Sequence, residues 1–177
     1  LKKSPEKFLE FLLEYLRNIK VDLVLPLFDD SADLLNKNRD VVFNTNNTRI
    51  CLPPQKQYEL SRNKNELMRF CRENKIPHPH TVTINRYTYT EAAKKVGFPS
   101  LIKPASSSGA VGIYYVNTPE ELSDYFSKTN DQDELSLQSF VNHSGYYFSS
   151  MIFRSNDGNF SDVVIVNIIR YFLIVEG

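Results

Sequence analysis

Apolar residues recur at steps of three and four from Ser4 to Lys20, where Phe8, Leu12, Leu16 and Ile19 share one side. That spacing predicts a helix with Ser4 as its cap and Pro5 in its first turn. Val21 to Leu27 is a short, mostly apolar run closed by Pro26 and predicts a buried strand entering a loop. Phe28-Asp29-Asp30-Ser31 follows as a polar turn, and Arg49 to Leu52 as another short strand. A helix feeding a buried strand is the second half of a βαβ unit. The chain is therefore expected to begin inside a domain.

A second pattern starts after Pro53-Pro54. Gln55 to Asn74 is helical with a break at Ser61 to Asn63, where Asn63 caps a new helix that turns Leu67, Phe70 and Cys71 inward. Pro77 and Pro79 end it, and Thr81 to Ile84 is a strand. Thr88 with Glu91 forms a capping box, and Gly97 stops the helix they open. Ser100 to Lys103 and Ile113 to Val116 are strands joined by the loop Pro104 to Gly112, and Thr118-Pro119-Glu120-Glu121 opens another capped helix. Strands are then expected at Leu135 to Val141, Tyr146 to Phe153 and Ser161 to Val175, with Asn156-Asp157-Gly158 as a hairpin turn. The order gives an α/β chain of small subdomains.

Composition narrows the function. Lys and Arg number 21 against 21 Asp and Glu, so the chain lacks the basic excess of a nucleic-acid binder or polybasic membrane binder. With 41% hydrophobic and 24% charged residues it is composed to fold. The richest run, Val163 to Val175, is broken by Asn167 and Arg170 and reads as strand, not membrane span. Cys51 and Cys71 make neither a disulfide framework nor a metal spacing, so a reducing, cytoplasmic setting is expected.

The chemistry concentrates in Leu101-Ile102-Lys103-Pro104-Ala105-Ser106-Ser107-Ser108-Gly109-Ala110-Val111-Gly112. A buried strand delivers a lysine, and a loop of small residues follows it. Small residues let backbone N–H groups approach an anion, and the ammonium neutralises its charge, which together make a phosphate cradle. The alternative is a plain hairpin loop beside a solvated lysine. It is no Walker loop, because the lysine precedes the glycines and no helix follows. His78 and His80 flank Pro79 in an extended segment and face apart, so with His143 they make no metal site. Asp29-Asp30-Ser31 at a strand end is read as a helix-capping acidic turn over a ligand site, Asp33 as a solvated helix residue, and the tyrosines as packing groups.

In order along the chain stand Lys64 opening a helix, Lys75-Ile76-Pro77-His78-Pro79-His80-Thr81, Gly97 to Pro104, the Ser106 to Gly112 loop and Gln138-Ser139-Phe140-Val141. This series resembles the ATP-grasp superfamily, in its carbamoyl-phosphate-synthase-like and carboxylate–amine-ligase-like branches. Its order is a lysine opening a helix, G-I-P-x-P-x-T, G-[FY]-P-x-[IV]-x-K-P, a Ser/Gly-rich loop and a Q/E-x-[FY]-[ILV] hinge. The resemblance covers roughly 55–177 and implies an ATP-grasp fold fragment. Residues 1–54 would end a pre-ATP-grasp α/β domain. Residues 55–177 would begin the ATP-grasp domain, with an α+β lid subdomain at about 81–137 and then the first strands of the catalytic core.

By the same resemblance the complete enzyme activates a carboxylate with ATP and passes the acyl group to an amine or ammonia. Lys64 and Lys103 match its phosphate lysines; Ser106, Ser107, Ser108, Gly109 and Gly112 its lid loop; and Gln138 the reader of the adenine amino group. Ser139 and Val141 fall on the hinge, and Arg170 is aligned with a basic residue on a late strand. Two departures stand out. Tyr147 takes the place of a ribose-binding glutamate, and Gln138 stands where many relatives carry glutamate. Magnesium is expected from the family, with its carboxylate ligands outside this chain. Asp162 and Glu176 are isolated and read as surface or terminal residues. The expected partners are ATP and a small carboxylate, with a homo-oligomer open. The other reading is a degenerate nucleotide-binding scaffold without catalysis.

Overall fold

The structure is a computed structural model that describes residues 4–107, 109–129, 134–142, 147–155 and 157–168. Helix α1 (Pro5–Asn18) buries Leu16 against α2 (Asp29–Lys37) and α3 (Arg39–Asn44), which contribute Leu35 and Val42. Strands β1 (Leu23–Val24) and β2 (Arg49–Ile50) pair in parallel beside this cluster, with Leu23 opposite Arg49. The two strands are shorter than the apolar runs that predicted them, and much of the run beyond Val24 is exposed, including Leu25 and Leu27.

The polar turn at Phe28 opens a full helix. Ser31 Oγ donates to the Phe28 carbonyl at 2.7 Å, tying the first turn of α2. Asp33 is not a solvated face residue. It accepts from Tyr58 Oη at 2.6 Å and from two nitrogens of Arg62 at 3.0 and 2.9 Å. Tyr58 and Arg62 lie on α4 (Gln55–Arg62), so this clamp joins the first segment to the second. Burial alone would raise the Asp33 carboxyl. The hydrogen bonds from Tyr58 and Arg62 overcome that and hold it below its ordinary value. Burial and the neighbouring carboxylate push the Tyr58 phenol up to about 12.

Helix α5 (Lys64–Glu73) starts as expected: Asn63 Oδ1 accepts from the backbone N–H groups of Asn65 and Glu66. Cys71 is buried, but Phe70 is 40% exposed, because the helix presses only one narrow stripe onto its neighbours. After the helix Lys75 adopts φ +56, the left-handed conformation that a closing turn requires.

The second unit is one antiparallel sheet in the order β3-β6-β4-β5, made of β3 (Thr81–Ile84), β6 (Leu135–Ser139), β4 (Ser100–Pro104) and β5 (Tyr114–Val116). Helices α6 (Tyr89–Val96) and α7 (Pro119–Lys128) cover one face, where Ile84, Ala92, Ile102, Val116, Leu122, Phe126, Leu135 and Leu137 form the core. Because side chains alternate along a strand, the residues between these point to the other face. Thr81, Lys103 and Gln138 are therefore on that opposite, polar side.

Capping follows the predicted logic at α7, where Thr118 Oγ1 accepts from Glu121 N. At α6 it differs. The Asn85 side chain accepts from the Tyr87 and Thr88 amides, while Glu91 bonds Lys94, so no Thr88–Glu91 box forms. A separate hairpin, β7 (Tyr147–Met151) with β8 (Val164–Ile168), ends the described chain, with Phe148, Val164 and Ile165 exposed. The expected turn there is described at Asp157 and Gly158, with Asn156 outside the described residues.

Candidate functional site

Two elements meet at the end of β4. The backbone N–H of Lys64, at the start of α5, donates to Ala105 O at 2.8 Å. This seats the helix terminus on the loop that follows β4. The Lys64 ammonium then donates to Pro104 O at 3.2 Å, Ser107 O at 2.7 Å and Ser107 Oγ at 3.1 Å. An ammonium has three protons, so this one is fully engaged by the loop. The loop is also tied from the start of β6, where the Ala105 N–H donates to Glu134 O at 2.8 Å.

Lys103 precedes Pro104 by one residue and lies on the polar face of the sheet. Its ammonium donates to Gln138 Oε1 on β6. The register explains the meeting: Leu101 is opposite Gln138 and Lys103 opposite Ser136, so Lys103 and Gln138 are diagonal neighbours on one face. Gln138 Nε2 donates in turn to Thr81 Oγ1 at 2.9 Å on β3. Burial, and then the charge of Lys64, lower the Lys103 pKa; burial and Arg62 lower that of Lys64. Both ammonium groups are thus held in half-buried places that disfavour their charged forms.

The loop between them is shaped by backbone rather than side chains. Gly109, Ala110 and Gly112 have φ of +63, +62 and +72. A Cβ at Gly112 would stand 2.8 Å from Pro104 Cγ, so the loop folds back onto the end of β4 only with glycine there. Ser106 is exposed and Ser107 half-buried.

The hinge is partly committed. Ser139 N donates to His80 O at 2.8 Å and Phe140 N to Pro99 O at 3.0 Å, while the Val141 side chain is exposed. Ser108, His143, Arg170 and Glu176 lie outside the described residues, as does the Tyr147 side chain. His78 Nδ1 is taken by the Ile76 carbonyl at 2.7 Å. Asp162 is exposed. Tyr114 and Tyr115 pack on Tyr125 and Phe140.

Sequence reasoning missed Thr81 as a partner of Gln138, and Glu134, whose carboxylate accepts from Asn65 Nδ2 at 2.9 Å and steadies the start of α5. Thr81 meets Gln138 only when β3 and β6 pair, and Glu134 meets Asn65 only when α5 packs beside the start of β6. A pocket beside the exposed edge of β3 is lined by Asn65, Arg69, Arg72, His80 and Lys95, and neither Lys64 nor Lys103 reaches it.

Residues 62–146 match the family model described as carbamoyl-phosphate synthase L chain, ATP binding domain. A D-alanine–D-alanine ligase from Solibacter usitatus (strain Ellin6076) is 32% identical over 76 residues, which are 42% of this chain and 23% of that protein. N5-carboxyaminoimidazole ribonucleotide synthetase from Thermus thermophilus superposes with a TM-score of 0.66 at 19% identity, covering 88% of this chain and 40% of that one. The Staphylococcus aureus N5-carboxyaminoimidazole synthetase complexed with ADP gives 0.65 at 16% identity, covering 85% and 38%.

The chain has the ATP-grasp fold, and its resemblance to the ATP-grasp ligases, drawn above from the motifs, holds in sequence over 62–146 and in structure over most of its length. It spans less than half the length of each of these relatives.

Proposed function

We propose that this chain binds the triphosphate and base of ATP for a carboxylate–amine ligase, with Lys64 and Lys103 facing the phosphates. The observation that carries this reading is that the Lys64 ammonium is bonded to the loop after β4, while Lys103, on the strand that feeds that loop, is bonded to Gln138 on the polar face of the sheet. On this reading residues 1–54 end a preceding domain, residues 55–177 begin the ATP-grasp domain and about 81–137 form its lid. Ser106 to Gly112 close over the phosphates, and Gln138, Ser139 and Val141 line the base. In the whole enzyme a substrate carboxylate oxygen takes the γ-phosphoryl group and releases ADP. An amine nitrogen then attacks the acyl carbon, forming the amide and releasing phosphate. The lysines stabilise charge on the phosphoryl oxygens during transfer.

Magnesium would supply further neutralisation, but among the described residues no group of three or more His, Cys, Asp or Glu converges, so no residue here is assigned to it. A small carboxylate substrate and a cytoplasmic setting complete the proposal. Among the described residues no helix is long and apolar enough to cross a membrane.

A second reading is a binding scaffold without catalysis, favoured by Tyr147 where the family places a ribose-binding glutamate. A thermal-shift series with ATP, ADP and GTP, each with and without magnesium, tests both. Adenine nucleotides raising Tm, more with magnesium, support the ligase reading. A shift indifferent to magnesium favours the scaffold, and no shift with any nucleotide overturns both.

A further inference from the structure

We propose that Thr81 is the residue that sets the site's choice of purine, by fixing which end of the Gln138 amide faces the ligand. The inference rests on the nucleotide reading above and goes beyond it to base specificity.

The argument is one of donors and acceptors. The Thr81 hydroxyl donates to the Pro79 carbonyl at 2.9 Å, and a carbonyl can only accept. Its single proton is thereby spent, so Thr81 Oγ1 is left as an acceptor. Gln138 Nε2 donates to it at 2.9 Å. The amide nitrogen is held toward β3, and the amide oxygen is turned toward Lys103, whose ammonium can only donate. Both ends of Gln138 therefore dictate the same orientation. Thr81 is 4% exposed, so water does not compete for its hydroxyl.

A glutamate at this position would have two equivalent acceptor oxygens and need no orienting partner. A glutamine presents an acceptor from one end and a donor from the other, and Thr81 removes that ambiguity. A carbonyl oxygen has two lone pairs: Lys103 takes one in the free protein and, on the reading above, leaves it for the phosphates on binding, so that Thr81 alone then orients the amide. The second suits the exocyclic amine of a 6-amino purine and opposes the oxygen of a 6-oxo purine. With the amide reversed, the same site would offer N–H to the 6-oxo base.

The test measures dissociation constants of ADP and GDP for the chain by calorimetry, with Thr81→Val, Thr81→Ser, Gln138→Glu and the double variant Thr81→Val/Gln138→Glu. Thr81→Val keeps the shape and removes the acceptor, and the ADP-over-GDP preference is expected to fall about tenfold. Thr81→Ser keeps the preference, and the double variant regains it because a carboxylate accepts from either oxygen. The Gln138 side-chain amide resonances, followed by NMR without ligand, shift in Thr81→Val and hold in Thr81→Ser. An unchanged preference in Thr81→Val overturns the inference, as does a double variant no better than Thr81→Val alone. Wild-type chain that binds neither nucleotide overturns the nucleotide reading itself, a result distinct from ADP binding that is indifferent to Thr81.

Discussion

The Lys64 ammonium holds the carbonyl of Ser107 at 2.7 Å, joining the start of a helix to a loop that follows a strand. With bonds to Pro104 O and Ser107 Oγ as well, the lysine acts on the loop before any ligand arrives. An incoming phosphate must replace these partners, and the loop that loses them is the one proposed to close over it.

Lys64→Ala should therefore loosen the loop in the free protein. Amide hydrogen exchange at residues 109–112 is expected to quicken several-fold, with α6 and α7 unaffected. Equal protection in both proteins would mean that the lysine does not restrain the loop.

Alkaline pH offers a second check. Burial and the nearby charge lower both lysine pKa values, so each ammonium in the free protein begins losing its proton below pH 10.5. A polyanion stabilises the charged form and raises these values again. Nucleotide binding should take up protons on the alkaline side, and affinity should fall as pH rises through the free-protein values. Calorimetry in buffers of different ionisation enthalpy reads the proton count directly; none taken up on the alkaline side would contradict this.

The Asp33 clamp should matter for stability rather than binding. Asp33→Asn keeps the shape but weakens three charge-assisted bonds, and the loss is expected to be about 1–2 kcal/mol, reduced from the buried-pair value because the carboxylate is 38% exposed. The folded-state pKa lies below the ordinary 3.8, so this stabilisation is complete above pH 3.8 and disappears as pH falls through the folded value. Denaturant melts of both proteins at neutral and acid pH should converge as the pH drops.

Lys75 is in the left-handed region at the position where the matching family motif carries glycine. Lys75→Gly should remove backbone strain and stabilise the fold by about 0.5–1 kcal/mol, since the conformational cost to the unfolded chain offsets part of the gain. Chemical denaturation gives the sign, and a destabilised variant would show that contacts of the lysine outweigh its strain.

How much of this could be read from the chain itself varies by element. Asn63 announced the α5 terminus because capping is local, and the alternation in Ser100 to Lys103 announced β4 because burial on one face leaves a period of two. Helix α2 shows in the sequence only through its acidic first turn, and α3 not at all: their buried residues Leu35 and Val42 are sparse among Asp, Asn and Arg, so no apolar stripe stands out. Phe70 satisfied the periodicity yet faces outward, since the helix buries only a narrow stripe. At the site, Lys64, Lys103 and Gln138 were legible through the order of their motifs. Thr81 and Glu134 were not, because their partners Gln138 and Asn65 stand 57 and 69 residues away along the chain.

The most direct test is a calorimetric titration of ADP into the wild-type chain, Lys103→Ala and, as a surface control, Lys94→Ala. Lys103→Ala is expected to lose at least about tenfold in affinity, the least that removing one of two charges from a shared anion should cost, while Lys94→Ala binds as wild type does. Equal dissociation constants in all three proteins would contradict the placing of that ammonium against the phosphates.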